Sequence, residues 1–188
     1  MRPDLDRLLD ESLETQAALR AQLPLVAQLG ARLVKTLKQG GKLLTCGNGG
    51  SAADAQHMSE ELLGRFKSDR IPLPAVALTA DSQLLTCIAN DYGYDEVFAR
   101  QVVGLGRPGD MLVCFSTSGN SPTLIRAIHA ARRRKVFSVA LLGKGGGKTR
   151  GLADLEIIVP GDSTARIQEA HTFILHAVLE IVENHFKR

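Results

Sequence analysis

The sequence predicts an α/β fold, a three-layer, doubly wound, five-stranded parallel sheet with two extra N-terminal helices. Three observations predict it. Five short apolar runs, at residues 42–46, 75–79, 111–116, 137–142 and 155–159, are separated by stretches of helical character. The runs are apolar throughout rather than alternating, which suits strands covered on both faces, and strands separated by helices pair in parallel. Residues 1–40 hold two helical patterns and no strand, so they read as a helical extension to an α/β sandwich of residues 41–188. At 188 residues the chain suits a single domain with one core.

The first helical pattern, residues 3–21, spaces Leu5, Leu8, Leu9, Leu13, Ala17 and Leu19 at helical period. The second, residues 24–39, carries Leu25, Val26, Leu29, Leu33, Val34 and Leu37 and ends at Gly40-Gly41, as helices often end at glycine. With no strand to pair with, both helices are expected to pack outside the sheet core. Their apolar faces are large for a free monomer and predict self-association. Further helices are expected at 51–66, 82–89, 95–103 and 122–134, and a long one closes the chain at 163–186. The glycine-rich stretch 143–148 reads as a loop, mobile by composition.

Composition excludes several classes. Hydrophobic residues at 44% and charged residues at 23% are ordinary for a globular chain, not a disordered one. The formal charge of +3 is small, and the one basic run, Arg132-Arg133-Arg134-Lys135, falls at a helix end, where cations complement the dipole. No nucleic-acid partner is expected. The opening MRPDLDRLLDE is acidic and amphipathic, unlike a signal peptide, and no apolar run approaches the roughly 18 residues of a membrane span. A soluble, cytoplasmic chain is the expectation. Cys46, Cys87 and Cys114 show no CxxC spacing and read as buried free thiols.

Ligands of an open parallel sheet bind beyond the carboxyl ends of its strands, where helix N-termini attract anions. Two turns fit that place. Gly47-Asn48-Gly49-Gly50-Ser51 follows the first strand; its glycines let the backbone turn sharply and present N–H groups, with Asn48 and Ser51 as side-chain donors. It has neither dinucleotide-fingerprint nor P-loop spacing. Ser116-Thr117-Ser118-Gly119-Asn120-Ser121 follows the third strand, and its four hydroxyls exceed what one helix cap needs. The surplus suits the oxygens of a phosphate monoester.

On the next helix His57 and Glu61 lie four residues apart, about 40° around the axis, and so share a face. On the last helix Gln168 and His176, eight residues apart, also share a side. Each alone has a plain structural explanation. Two histidines and a carboxylate on helices bounding a phosphate site form a candidate zinc or acid–base group. Spacing does not show that the two helices meet.

The segments CGNGGSAADAQHMSEELLGRF, STSGNS and ARIQEAH resemble those of sugar isomerase (SIS) domains. STSGNS alone marks that wide group. Together with the helical motifs, essentially the whole chain is similar to the phosphoheptose isomerases of bacterial heptose synthesis. The resemblance implies a flavodoxin-like SIS fold and a homotetramer. The implied reaction interconverts sedoheptulose 7-phosphate and D-glycero-D-manno-heptose 7-phosphate through an enediol, the first step toward the heptose of lipopolysaccharide core. It implies Glu61 and His176 as catalytic acid–base pair. One Zn2+ per subunit is implied on His57, Glu61, Gln168 and His176. Asn48, Gly49, Gly50, Ser51, Glu61, Asn90, Asp91, Ser116, Thr117, Ser118, Ser121 and Gln168 are implied in substrate binding. Arg65, one turn beyond Glu61, is within reach of the same site.

The alternative is a non-catalytic SIS-domain adaptor that binds the replication initiator DnaA. Such adaptors typically lack the glutamate at position 61 and the histidine at 176, and both stand here. A sugar-phosphate sensor fused to a DNA reader is a further class. The first 40 residues hold no helix-turn-helix unit with a third helix to suit it.

Overall fold

A computed structural model describes residues 4–187. Helices α1 (Leu5–Ala18) and α2 (Leu23–Lys38) are joined by one 3-10 stretch, Leu19–Gln22. The α/β part follows as β1 (Leu43–Gly47), α3 (Gly50–Leu63), β2 (Ala75–Ala77), α4 (Ser82–Tyr92), α5 (Ala99–Leu105), β3 (Met111–Ser116), α6 (Pro122–Arg134), β4 (Phe137–Leu142), β5 (Leu155–Ile158) and α7 (Thr164–Phe186). Strands three and four fall where the apolar runs put them. The 95–103 helix divides into a 3-10 turn, Tyr94–Glu96, and the short α5. Pro3, where the first helix was expected to begin, lies outside the described residues; Asp4 caps α1 by accepting from the Arg7 amide.

The sheet is parallel throughout, in order β2-β1-β3-β4-β5. From β1 the chain crosses outward to β2, then returns to the other side of β1 for β3. The strand order therefore reverses between β1 and β3, and their carboxyl ends flank a switch point.

Alternate residues of each strand feed two cores. Leu43, Met111, Val113, Phe115, Val139, Leu141 and Ile157 pack against α2, α3 and α7 on one face. Leu44, Cys46, Leu112, Cys114, Ala140 and Leu142 pack against α4, α5 and α6 on the other. Helix α2 thus belongs to a core layer, against the expectation that both leading helices pack outside. Its Leu29 and Leu33 are fully buried, and Gly30 lets α7 approach, since a Cβ there would meet Ile181 at 2.6 Å. Only α1 lies outside, and it buries no residue.

The glycine stretch after β4 is ordered rather than loose. It forms the 3-10 segment Lys144–Thr149, with Gly145, Gly146 and Gly147 at positive φ. Thr149 donates backbone N–H and hydroxyl to Gly119 O, and the Lys148 amide donates to Asn120 Oδ1. Of the cysteines, Cys46 and Cys114 are buried free thiols as expected, whereas Cys87 is exposed on α4. No described helix is long and apolar enough to cross a membrane.

Candidate active site

Both turns sit at the switch point. After β1 the chain turns at Gly49, whose φ of +57° favours glycine, and Gly49 also caps α3. Asn48 is half-buried, Gly49 and Gly50 are exposed, and Ser51 is buried in the first turn of α3. Gln168 reaches this turn from α7: a Cβ on Gly50 would lie 1.9 Å from its amide nitrogen. The second turn follows β3 into α6. Ser116 Oγ accepts from the Gly119 amide at 3.0 Å and Ser118 Oγ from the Asn120 amide at 3.2 Å. Ser121 occupies the N-cap position of α6, yet its hydroxyl makes no capping bond among the described residues. Its oxygen and the half-buried Thr117 hydroxyl, at the positive end of α6, suit an anion.

The two turns are joined through Asn48. Its amide nitrogen donates to Thr123 Oγ1 at 2.9 Å, and its carbonyl accepts from the Tyr94 hydroxyl at 3.0 Å. Neither Thr123 nor Tyr94 stood out in the sequence; a lone tyrosine after Asn90-Asp91 carries no spacing signal. Asn90 and Asp91 are exposed at the end of α4 and bond to each other at 2.8 Å, but make no bond to either turn among the described residues. Tyr94 is what brings their neighbourhood to Asn48.

Helices α3 and α7 do meet, on one face of the sheet. His57 Nε2 lies 3.3 Å from Glu61 Oε1. The His57 ring stands edge-to-face to that of His176, centroids 5.0 Å apart, and the Phe66 ring stacks on His176 with centroids 5.9 Å apart. The two helices are also tied by Asp54, missed in the sequence, whose Oδ1 accepts from Thr172 Oγ1 at 3.0 Å. Burial raises the Asp54 pKa, while the Thr172 hydrogen bond and nearby His57 pull it down. The fully buried histidine of α7 is not His176, which is half-buried, but His171, whose Nε2 bonds Leu142 O. Arg65 is exposed on the loop after α3.

Two imidazoles and a carboxylate drawn together on α3 and α7 are donors of the right chemistry for zinc. As placed they bond and pack against one another. No group of three or more His, Cys, Asp or Glu side chains converges as a metal site among the described residues. Gln168 bears on the glycine turn instead.

Amide- and hydroxyl-lined turns at the switch point of a parallel sheet define a sugar-phosphate-binding class of domain. The family model described as SIS domain matches residues 8–143, and the chain belongs to that family. Within it, a phosphoheptose isomerase of Roseiflexus sp. (strain RS-1) is 52% identical over 172 residues, 92% of this chain and 84% of that protein. The solved phosphoheptose isomerase of Neisseria gonorrhoeae superposes with a TM-score of 0.90 at 42% identity, over 96% of this chain and 97% of that one. That of Francisella tularensis gives 0.93 at 36%, over 97% and 100%. This chain is a member of the phosphoheptose isomerases.

Proposed function

We propose that the chain interconverts sedoheptulose 7-phosphate and D-glycero-D-manno-heptose 7-phosphate, with Glu61 and His176 as the acid–base pair. The meeting of α3, which begins at the glycine turn, with α7 gathers Glu61, His57 and His176 and carries this reading. The phosphate is bound by the amides and hydroxyls of residues 116–121 at the start of α6, and the glycine turn with Asn48 and Ser51 holds the sugar oxygens. Glu61 takes the proton from C1 of the ketose, the C–H electrons form the C1–C2 double bond, and His176 protonates O2. His176 then takes up the O1 proton, and return of the proton from Glu61 to C2 completes the aldose. The product's use in lipopolysaccharide heptose and a cytoplasmic location belong to the same reading.

The test is turnover of sedoheptulose 7-phosphate by Glu61→Gln, which keeps the shape and removes the base. We expect kcat to fall by about 10²–10⁴ with the fold unchanged. Wild-type turnover in this variant would remove Glu61 from the mechanism.

The donor chemistry of His57, Glu61 and His176, with Gln168 turned from the glycine loop as a fourth ligand, suits zinc, which when bound would supply Lewis-acid polarisation of the substrate carbonyl. Elemental analysis of the purified enzyme should find zinc, and chelation should lower both activity and thermal midpoint, with zinc restoring them. A chelated, metal-free protein of full activity overturns this assignment.

A homotetramer is the assembly we propose. Leu5, Leu9 and Leu13 of α1 are 58–69% exposed, and Leu23 and Phe173 extend the apolar surface beside the junction of α1 and α2.

A further inference from the structure

The site as described leaves one buried ion pair unused. Arg70 lies in the loop after α3, and its side chain and that of Glu183 on α7 are 1% and 6% exposed. Arg70 Nε donates to Glu183 Oε2 at 3.2 Å. The rest of the guanidinium turns to the end of α3: one terminal nitrogen donates to Leu62 O at 2.8 Å and Ile71 O at 2.9 Å, the other to Glu61 O at 2.5 Å. Glu183 Oε1 in turn accepts from the Ser68 amide at 2.5 Å.

The last carbonyls of a helix have no partner within it. In α3 the Gly64 amide satisfies Glu60 O and the Leu73 amide reaches Leu62 O. For Glu61 O, Arg70 supplies the bond that the ending helix cannot. Glu61 lies two residues from the end of α3, where helices fray, and α3 carries no basic residue of its own in its last turn. The other half of the pair lies on α7, seven residues and about two turns beyond His176.

We propose that Arg70 and Glu183 form a positioning pair that sets the backbone of Glu61 against the helix carrying His176. The inference rests on the reading of Glu61 and His176 as the acid–base pair. Neither Arg70 nor Glu183 touches substrate; they act through the geometry of the groups that do. A fork of five donors does this where a lysine cannot, because one ammonium cannot bond Glu183 and two helix carbonyls in the same plane.

The test measures kcat and KM for sedoheptulose 7-phosphate in Arg70→Lys, Glu183→Gln and Glu183→Asp, each well below its unfolding midpoint, with circular dichroism to confirm folding. Glu180→Gln is the control. It breaks the exposed Lys67–Glu180 pair, which joins the same loop to the same helix without touching α3. We expect Arg70→Lys and Glu183→Gln to lower kcat about tenfold or more. Their KM should stay within about twofold, because the phosphate and sugar turns lie at the opposite end of α3. Glu183→Asp, which keeps the charge and is the variant most apt to fold, should show the same split in smaller measure. Glu180→Gln should match wild type. A lowered unfolding midpoint with wild-type kcat per folded molecule, in Arg70→Lys or in Glu183→Asp, would show a plain structural staple and overturn the proposal. Glu61→Gln run alongside separates the two claims: if it is inactive and Arg70→Lys turns over normally, only the positioning pair falls. If Glu61→Gln turns over normally, the acid–base reading falls first.

Discussion

Asn48 is held from two sides, by the Tyr94 hydroxyl and by the Thr123 hydroxyl, so its amide cannot rotate freely. Removing the Tyr94 bond frees the carbonyl of Asn48 without disturbing the fold, since the Tyr94 ring is exposed. A neutral hydrogen bond at an exposed site contributes about 0.5–1 kcal/mol. Tyr94→Phe should therefore raise KM for the sugar phosphate about two- to fivefold and leave kcat nearly unchanged. An unchanged KM would show that Asn48 is held by Thr123 alone. At this scale the sequence named most of the candidates and almost none of their partners. Asn48, His57 and Glu61 belong to motifs with fixed spacing. Tyr94, Thr123, Asp54 and Arg70 matter through contacts 46, 75, 118 and 113 residues away in the chain, which no local pattern encodes.

At the scale of elements, α1 and the Lys144–Thr149 segment show opposite departures from composition. Three glycines in a row suggest mobility, yet each supplies a positive φ that folds the segment onto the turn of residues 116–121. Gly119 completes that contact: at φ +63° a Cβ would lie 2.0 Å from Gly146 O. Helix α1 has the apolar spacing of a buried helix, yet its Leu5, Leu9 and Leu13 face outward while α2 takes the place against α7. The α1 helix is fastened at its side by the Arg166 guanidinium donating to Leu8 O and by the Ser12 hydroxyl on Glu169. Those ties leave its apolar stripe exposed, and it is this stripe that the proposed assembly would bury. Leu9→Glu should shift the assembly to smaller species by light scattering, because a charge cannot be buried there unpaired. An unchanged mass would place the contact on another surface.

For the whole molecule, acid should act first on the core. His171 is fully buried, and burial pushes its pKa down from 6.5 to about 4, its bond to Leu142 O opposing the shift. Between those values the unfolded chain binds a proton that the folded chain refuses, so stability rises with pH. The contribution is fully present above about pH 6.5 and falls by roughly 3 kcal/mol as pH drops to 4. Glu183 acts in the same direction below its unfolded value of 4.5: burial alone would raise its pKa, but the Ser68 amide and Arg70 together hold it lower. Asp54, raised by burial, acts oppositely as it takes up a proton in the folded state. Urea unfolding at pH 7 and pH 5 should show the loss, and His171→Gln should flatten it. A wild-type stability equal at the two pH values would exclude His171 as its source.

What the sequence alone determined was periodic or contiguous. Apolar runs and helical spacings fixed the parallel sheet, and the two turns between strand and helix placed candidate anion-binding backbone where a doubly wound sheet binds ligands. Those signals are local, since strand burial and turn chemistry act within a few residues. Tertiary structure decided the rest. It put α2 in the core and α1 outside it, set His57 beside His176, gave Asn48 its partners, and fastened the end of α3 to α7 through Arg70 and Glu183. Each joins side chains far apart in the chain. Such contacts follow from how the layers close on one another, which spacing along a single strand or helix does not record.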